Sequence, residues 1–349
     1  MSIAGMRRAW VVALALIAGA SLHEGRAQEP MKVRIGQATS AVSFLPIWSA
    51  RALDAFKAEG LDLQWAVVAG GDPTTLAALD SGDIDFAAVG SETTVQAIAK
   101  GQPFQIVYSL MAKMSLELVV SEALLRRAGV TPTDPLDKRI GAIKGATIGV
   151  SAVRGAQERV ARWLAARGGL DAQRDLKVAL IGAPPAIRAA LENGAIDGFV
   201  LSPPEGILAE ASGKGRILVR LGDEFPELKT FHFLVLVAKK PLTPEKRELA
   251  LRTIRALAKA SDQTARDAPR VAAEIQKRFF AQAKPEIIAR AVDSLKTGVA
   301  GQGRMSAESI AGLLQFTAAT GGALDKLLDP VKGEGDFWTN ELIAAALGR

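Results

Sequence analysis

The chain has 349 residues, more than one average domain, and 49% of them are hydrophobic, enough for a large buried core and for two domains. Its 43 basic and 37 acidic residues leave a mild formal charge of +6, and the lysines and arginines sit among acids along amphipathic stretches instead of clustering with aromatics, which argues against a nucleic-acid surface. There is no cysteine, so neither a disulfide nor a lipid-bearing thiol can form.

Residues 1–27 have the layout of a secretory signal: Arg7 and Arg8, an apolar run from Ala9 to Ala20, and a polar stretch ending Gly25-Arg26-Ala27. That run is 12 residues long, short of the roughly 20 that span a bilayer as a helix, and a membrane anchor or a disordered tail is the other reading of the stretch. Cleavage after Ala27 predicts a mature chain starting at Gln28, with 40 basic against 36 acidic residues and a charge of +4. The expected location is the periplasm of a Gram-negative cell, reached by the general or the twin-arginine route, and the expected state is a monomer.

From Met31 to about Leu110, strand-like and helix-like runs alternate. Lys32 to Gly36 reads as strand, Leu45 to Ala58 as helix, Leu61 to Val68 as strand and Thr74 to Asp80 as helix; Ile84 to Val89, Thr93 to Lys100 and Phe104 to Leu110 continue the pattern. Such alternation predicts a parallel, doubly wound sheet. It restarts at Thr147 to Val150, with a helix over about 155–167, a strand at Lys177 to Ile181, a helix from Pro185 to Asn193 and a strand at Asp197 to Leu201. Beyond Pro244 the chain reads as amphipathic helix.

Ala77 to Asp85 (AALDSGDID) matches Ala189 to Asp197 (AALENGAID) without gaps at an offset of 112, with six of nine positions identical. The shared pattern is a helix closed by glycine, a turn and a buried strand, and Asp85 and Asp197 read as turn residues. Two lobes of one topology follow. The β-like runs Leu116 to Val120 and Phe231 to Val237 are expected to carry the chain across and back, making a two-stranded hinge.

In open parallel sheets, ligands sit beyond the carboxyl ends of the strands, so the segments following those ends are the candidate contacts. After the first strand come the hydroxyls of Thr39, Ser40 and Ser43 and the ring of Phe44, which suits a cleft floor and a core alike. Gly90, Ser91 and Thr93 open a helix, with Ser91 as expected N-cap; that capping role explains them as well as ligand contact does. Ser202-Pro203-Pro204-Glu205 reads as a capping box, with Ser202 also able to face the cleft. Ser151, Arg154, Gly155 and Ala156 hold an arginine one residue before a glycine at a helix start. A cation there opposes the helix dipole, so it points to a bound anion or else to a plain surface arginine.

The chain resembles the type II periplasmic binding proteins of ABC transporters, in the branch of sulfonate, taurine, nitrate and thiamine-precursor binders. The carriers are the signal, Ile35-Gly36 with Ser43-Phe44-Leu45-Pro46 behind it, Leu79 to Phe86, Gly145 to Val150 and Leu191 to Asp197, spread over essentially the whole chain. The resemblance implies an α/β fold of two doubly wound lobes around a ligand cleft, with 31–113 and 234–349 forming the first lobe and 114–233 the second. It also implies a small organic or inorganic anion as ligand, a membrane permease as partner, and no cofactor. Sulfonate-binding members often carry an aromatic and a proline where this chain has Ser202-Pro203-Pro204-Glu205, which leaves sulfonate specificity open. The branch also has thiamine-precursor binders and related enzymes on the same fold, but catalysis would draw on histidine or cysteine, and after the leader only His232 remains. A regulator's effector domain would follow a helix-turn-helix, whereas an export signal stands there.

Overall fold

The computed structural model describes residues 29–151, 155–299, 301–324, 326 and 328–348. The expected leader, residues 1–27, lies outside them. The first sheet begins with β1 (Met31–Gln37), followed by α1 (Leu45–Ala52), α2 (Ala55–Ala58), β2 (Leu61–Val67), α3 (Gly71–Ser81), β3 (Phe86–Gly90), α4 (Ser91–Ala99) and β4 (Phe104–Met111). The helix expected over 45–58 is two, because Asp54 takes a left-handed conformation, φ 54°, and ends the run. The second sheet is built from β5 (Glu117–Ser121), α5 (Glu122–Ala128), α6 (Leu136–Gly141), β6 (Thr147–Val150), α7 (Ala156–Arg167), β7 (Lys177–Leu180), α8 (Pro184–Glu192), β8 (Gly198–Leu201), α9 (Glu205–Ala211), β9 (Gly215–Arg220) and α10 (Leu221–Glu224). β10 (Leu234–Lys239) returns to the first sheet, and α11 (Pro244–Arg266), α12 (Ala268–Phe279), α13 (Pro285–Leu295), α14 (Ala307–Ala319) and α15 (Glu341–Leu347) complete the chain.

The sheet orders are β2-β1-β3-β10-β4 and β7-β6-β8-β5-β9, the same topology twice. The sheets are mixed, not wholly parallel as the sequence suggested: β10 runs against β3 and β4, and β5 runs against β8 and β9. Each of these strands arrives from the other sheet. It enters at the end where its neighbours finish, and so must run opposite to them.

The internal match has a packing cause. A Cβ on Gly36 of β1 would stand 2.7 Å from Ile84 Cδ1, and a Cβ on Gly149 of β6 2.5 Å from Ile196 Cδ1. Glycine lets the isoleucine after each helix-closing turn lie directly on the neighbouring strand. Asp85 and Asp197 finish the turn alike, each accepting a backbone N–H from the adjacent strand, Arg34 at 2.8 Å and Thr147 at 2.9 Å. The strands buried along their whole length, β4, β5 and β8, are mostly apolar, β4 although it stands at a sheet edge, where Trp338 packs beside Ile106; the edge strands β2 and β7 alternate or lie half exposed.

Beyond Pro244 helix dominates, but residues 320–340 are largely irregular, and there Trp338 is buried beside Ile106 of β4. α11 packs on α1, α2 and α15, and α12 on α1, so the tail covers the first sheet's layer, while α13 also reaches α9 of the second. No helix of the described residues is long and apolar enough to cross a membrane.

Candidate functional site

The carboxyl ends of β1, β3 and β8 and the start of α7 surround a cavity of about 360 Å3, closed on further sides by the chain crossings and by α13. That size suits a small molecule.

On the first side the loop after β1 places Thr39, Ser40, Ser43 and Phe44 in the wall. Two indoles hold this loop: Trp48 Nε1 donates to Ala41 O at 2.9 Å, and Trp65 Nε1 donates to Gln37 Oε1 at 3.0 Å, with Gln37 Nε2 donating in turn to Thr39 O at 2.6 Å. Phe44 is both wall and core, being almost completely buried.

Gly90, Ser91 and Thr93 also line the cavity, but Ser91 is not the N-cap of α4. Gly90 is, in extended conformation, and Ser91 N–H donates to Phe233 O at 3.0 Å. The Ser91 hydroxyl is buried without a hydrogen-bond partner. Asp72, in the first turn of α3, lies beside this helix start and accepts Gly90 N–H at 3.1 Å and the Thr93 hydroxyl at 3.2 Å. Burial raises the Asp72 pKa; these two bonds and nearby Arg159 pull it down by less. Glu92 is buried, accepts the Thr320 hydroxyl at 3.1 Å and faces Arg159 at 3.9 Å; burial pushes its carboxyl up as well.

On the second side Ala156 and its neighbour Gln157 line the cavity. Ser151 and Gly155 do not border it: Ser151 N–H donates to Gln157 Oε1 at 2.8 Å, and Gly155 is the extended N-cap of α7. Arg154 lies outside the described residues. Ser202 lines the cavity, but the expected capping box is not formed. A residue before proline disfavours helical conformation, so Pro203 cannot open the helix, which starts only at Glu205. The Ser202 hydroxyl instead lies 2.9 Å from that of Ser115, and buried Glu205 accepts from Arg188 Nε at 2.8 Å. Burial raises the Glu205 pKa, opposed by Arg188.

Sequence reasoning missed Asp72, Gln157, Arg188 and the apolar wall of Phe280, Ile287 and Ile288. Asp72 had a readable signal, an acid in a helix's first turn just after a strand; Phe280 and the isoleucines, some 190 residues from the nearest candidates of the first side, had none. The arrangement combines apolar walls, hydroxyls around one helix start, and a few ionisable groups, which suits holding a solute.

The NMT1-like family model matches residues 26–278. YtlA of Bacillus subtilis (strain 168) is 24% identical over 265 residues, 76% of this chain and 75% of its own. A solved structure from Bordetella bronchiseptica RB50 is 25% identical, with a TM-score of 0.68 over 92% of this chain and 98% of that one. The periplasmic aliphatic sulphonate binding protein SsuA from Escherichia coli shares 18% identity and a TM-score of 0.65, over 90% and 99% of the two chains, so this chain has the two-lobed periplasmic-binding-protein fold. The match over residues 26–278 establishes that the chain belongs to the NMT1-like family.

Proposed function

We propose that this protein is the periplasmic substrate-binding component of an ABC importer, a monomer that holds a small solute between two lobes and presents it to the membrane permease. The observation that carries this reading is the cavity itself, bordered by the carboxyl-end loops of two sheets with one topology. The lobes are residues 31–113 with 234–349, and residues 114–233, joined by the crossings that lead into β5 and β10. Export is supported by the leader-like composition of residues 1–27. Binding rather than catalysis is supported by His232, which is buried between two serine hydroxyls and is not among the residues lining the cavity.

Closure on a ligand is the test. To take an open form from about 1:99 to 99:1 closed, the ligand must prefer the closed state by about 5.5 kcal/mol, which calls for contacts from both lobes. Small-angle scattering on the exported protein is expected to show a smaller radius of gyration with bound solute; a tightly bound solute that leaves the radius unchanged overturns the hinge.

For an anionic group on the solute, Arg154 next to Gly155 is the candidate partner. Arg154→Ala is expected to weaken binding of an anion about ten- to a hundredfold, the worth of one charge-assisted contact of about 1.5–3 kcal/mol, read by calorimetry. Equal binding by wild type and variant removes Arg154 from the site.

A further inference from the structure

Among the described residues the cavity wall holds three carboxylates, Asp72, Glu92 and Glu205, and one guanidinium, Arg188. Two of the carboxylates are matched by cations, Glu205 by Arg188 at 2.8 Å and Glu92 by Arg159 at 3.9 Å. Asp72 differs. Each of its oxygens takes one neutral hydrogen bond, from Gly90 N–H and from the Thr93 hydroxyl, and it forms no ion pair with any described residue.

Its position matters as much as its charge. A helix start is where an external anion would settle, and at α4 that place is taken by the protein's own carboxylate. An anion reaching this side of the cavity would meet Asp72 with Glu92 behind it. Asp72 is half-buried, and the nearby Arg159 charge does not form an ion pair with it; a carboxylate partly drawn out of water without a bonded counter-charge is ordinarily costly. At Asp72 burial outweighs the two hydrogen bonds and the more distant Arg159 charge, and so disfavours the charged form. The open side of Asp72 is the cavity, so the missing partner can come with the ligand.

We propose that Asp72 receives a protonated nitrogen of the ligand, and that the cavity therefore selects small solutes bearing an ammonium or amidinium group over compounds of the same shape that lack one. The inference rests on the solute-binding reading above and names the chemistry of that same site. Phe44, Phe280 and Ile287 offer apolar surface for the carbon body. The Ser91 hydroxyl, buried and without a partner in the same wall, accepts a second N–H or donates to an oxygen. An anionic group elsewhere on the solute is compatible with this placement.

The experiment uses matched compounds on the exported protein: 2-aminoethanesulfonate against 2-hydroxyethanesulfonate, benzamidine against benzamide, and nitrate as a plain anion. By calorimetry the nitrogen cation of each pair is expected to bind at least tenfold more tightly than its counterpart. Asp72→Asn is expected to erase that preference while changing affinity for the counterpart less than twofold. A second readout needs no ligand. Asparagine keeps both local bonds, its carbonyl accepting Gly90 N–H and its amide donating to the Thr93 oxygen, while the unmatched charge disappears. The ligand-free variant is therefore expected to melt at or above the wild-type temperature at pH 7.5. Equal binding within the pairs, a preference that survives Asp72→Asn, or a variant melting several degrees lower each overturns the proposal, the last by making Asp72 a structural cap. If no compound binds or closes the protein, the solute-binding reading is what fails on this panel, and the melting comparison alone decides Asp72.

Discussion

His232 and Glu117 are buried titratable groups outside the cavity wall, and they carry opposite pH signatures. His232 has Nδ1 2.8 Å from Ser109 Oγ and Nε2 2.6 Å from Ser309 Oγ, and burial lowers its pKa to about 4. The unfolded chain takes up that proton near 6.5, so its contribution is complete above pH 6.5 and lost as pH falls toward 4, on the order of 3 kcal/mol. Glu117 of β5 accepts from Arg220 Nε at 3.1 Å, has its other oxygen buried without a partner, and is pushed by burial up to about 7. Its folded form favours the proton, so its contribution is present below about pH 4.5 and lost as pH rises through 7. Thermal melts across pH 4–8 are expected to show Glu117→Gln gaining stability relative to wild type as pH rises from 5 to 8. A variant whose offset from wild type does not change with pH would mean Glu117 is ionised throughout. Neither behaviour could be read from sequence, because a lone histidine or glutamate in a strand says nothing about which neighbours desolvate it.

At the scale of elements the repeated helix-turn-strand unit was legible as a pattern, and the structure supplies its physical basis in the Gly36–Ile84 and Gly149–Ile196 contacts. Gly149→Ala is expected to destabilise by about 1–3 kcal/mol, since the new methyl must displace Ile196 Cδ1 in a packed core. Ile196→Val removes that very atom, at a cost of about 0.5–1.5 kcal/mol alone. Denaturant unfolding of both singles and the double should give a double less destabilised than the sum of the singles. Strict additivity would place the glycine's role elsewhere. The capping box expected at Ser202 failed for an equally local reason, the proline following Pro203, and at α4 the N-cap is Gly90, not Ser91, its N–H held by Asp72, eighteen positions upstream and out of reach of any local rule.

For the whole molecule several side-chain links join the two sheet layers, and Glu92 among them also lines the cavity. Glu92 of α4 faces Arg159 of α7 at 3.9 Å, Arg290 of α13 pairs with Glu210 of α9 at 2.6 Å, and the Trp163 ring of α7 lies 4.9 Å from Phe225 on its own side and 5.2 Å from Phe316 of α14 on the other. The exposed Arg290 pair is worth little on its own, whereas an aromatic pair adds about 0.5–1.5 kcal/mol beyond its burial. Lobe opening should therefore change Trp163 emission. Stopped-flow fluorescence is expected to show a ligand-dependent change that is lost in Trp163→Phe and faster ligand release in Trp163→Leu; an unchanged signal in Trp163→Phe would mean the Trp163–Phe316 contact stays closed throughout. The alternation of elements and the duplicated topology were determined by sequence alone, because periodicity and helix-closing glycines are local properties of the chain; of the strand-end loops read as candidate contacts, those after β1, β3 and β8 border the cavity, whereas Ser151 and Gly155 after β6 do not. The antiparallel sense of β5 and β10, the apolar wall from the tail helices, the place of Asp72 in the cavity wall with only neutral hydrogen bonds, and the pairing of Arg188 with Glu205 were decided only by tertiary structure. Burial and charge balance depend on residues that the chain separates by tens to hundreds of positions and the fold brings within a few ångströms.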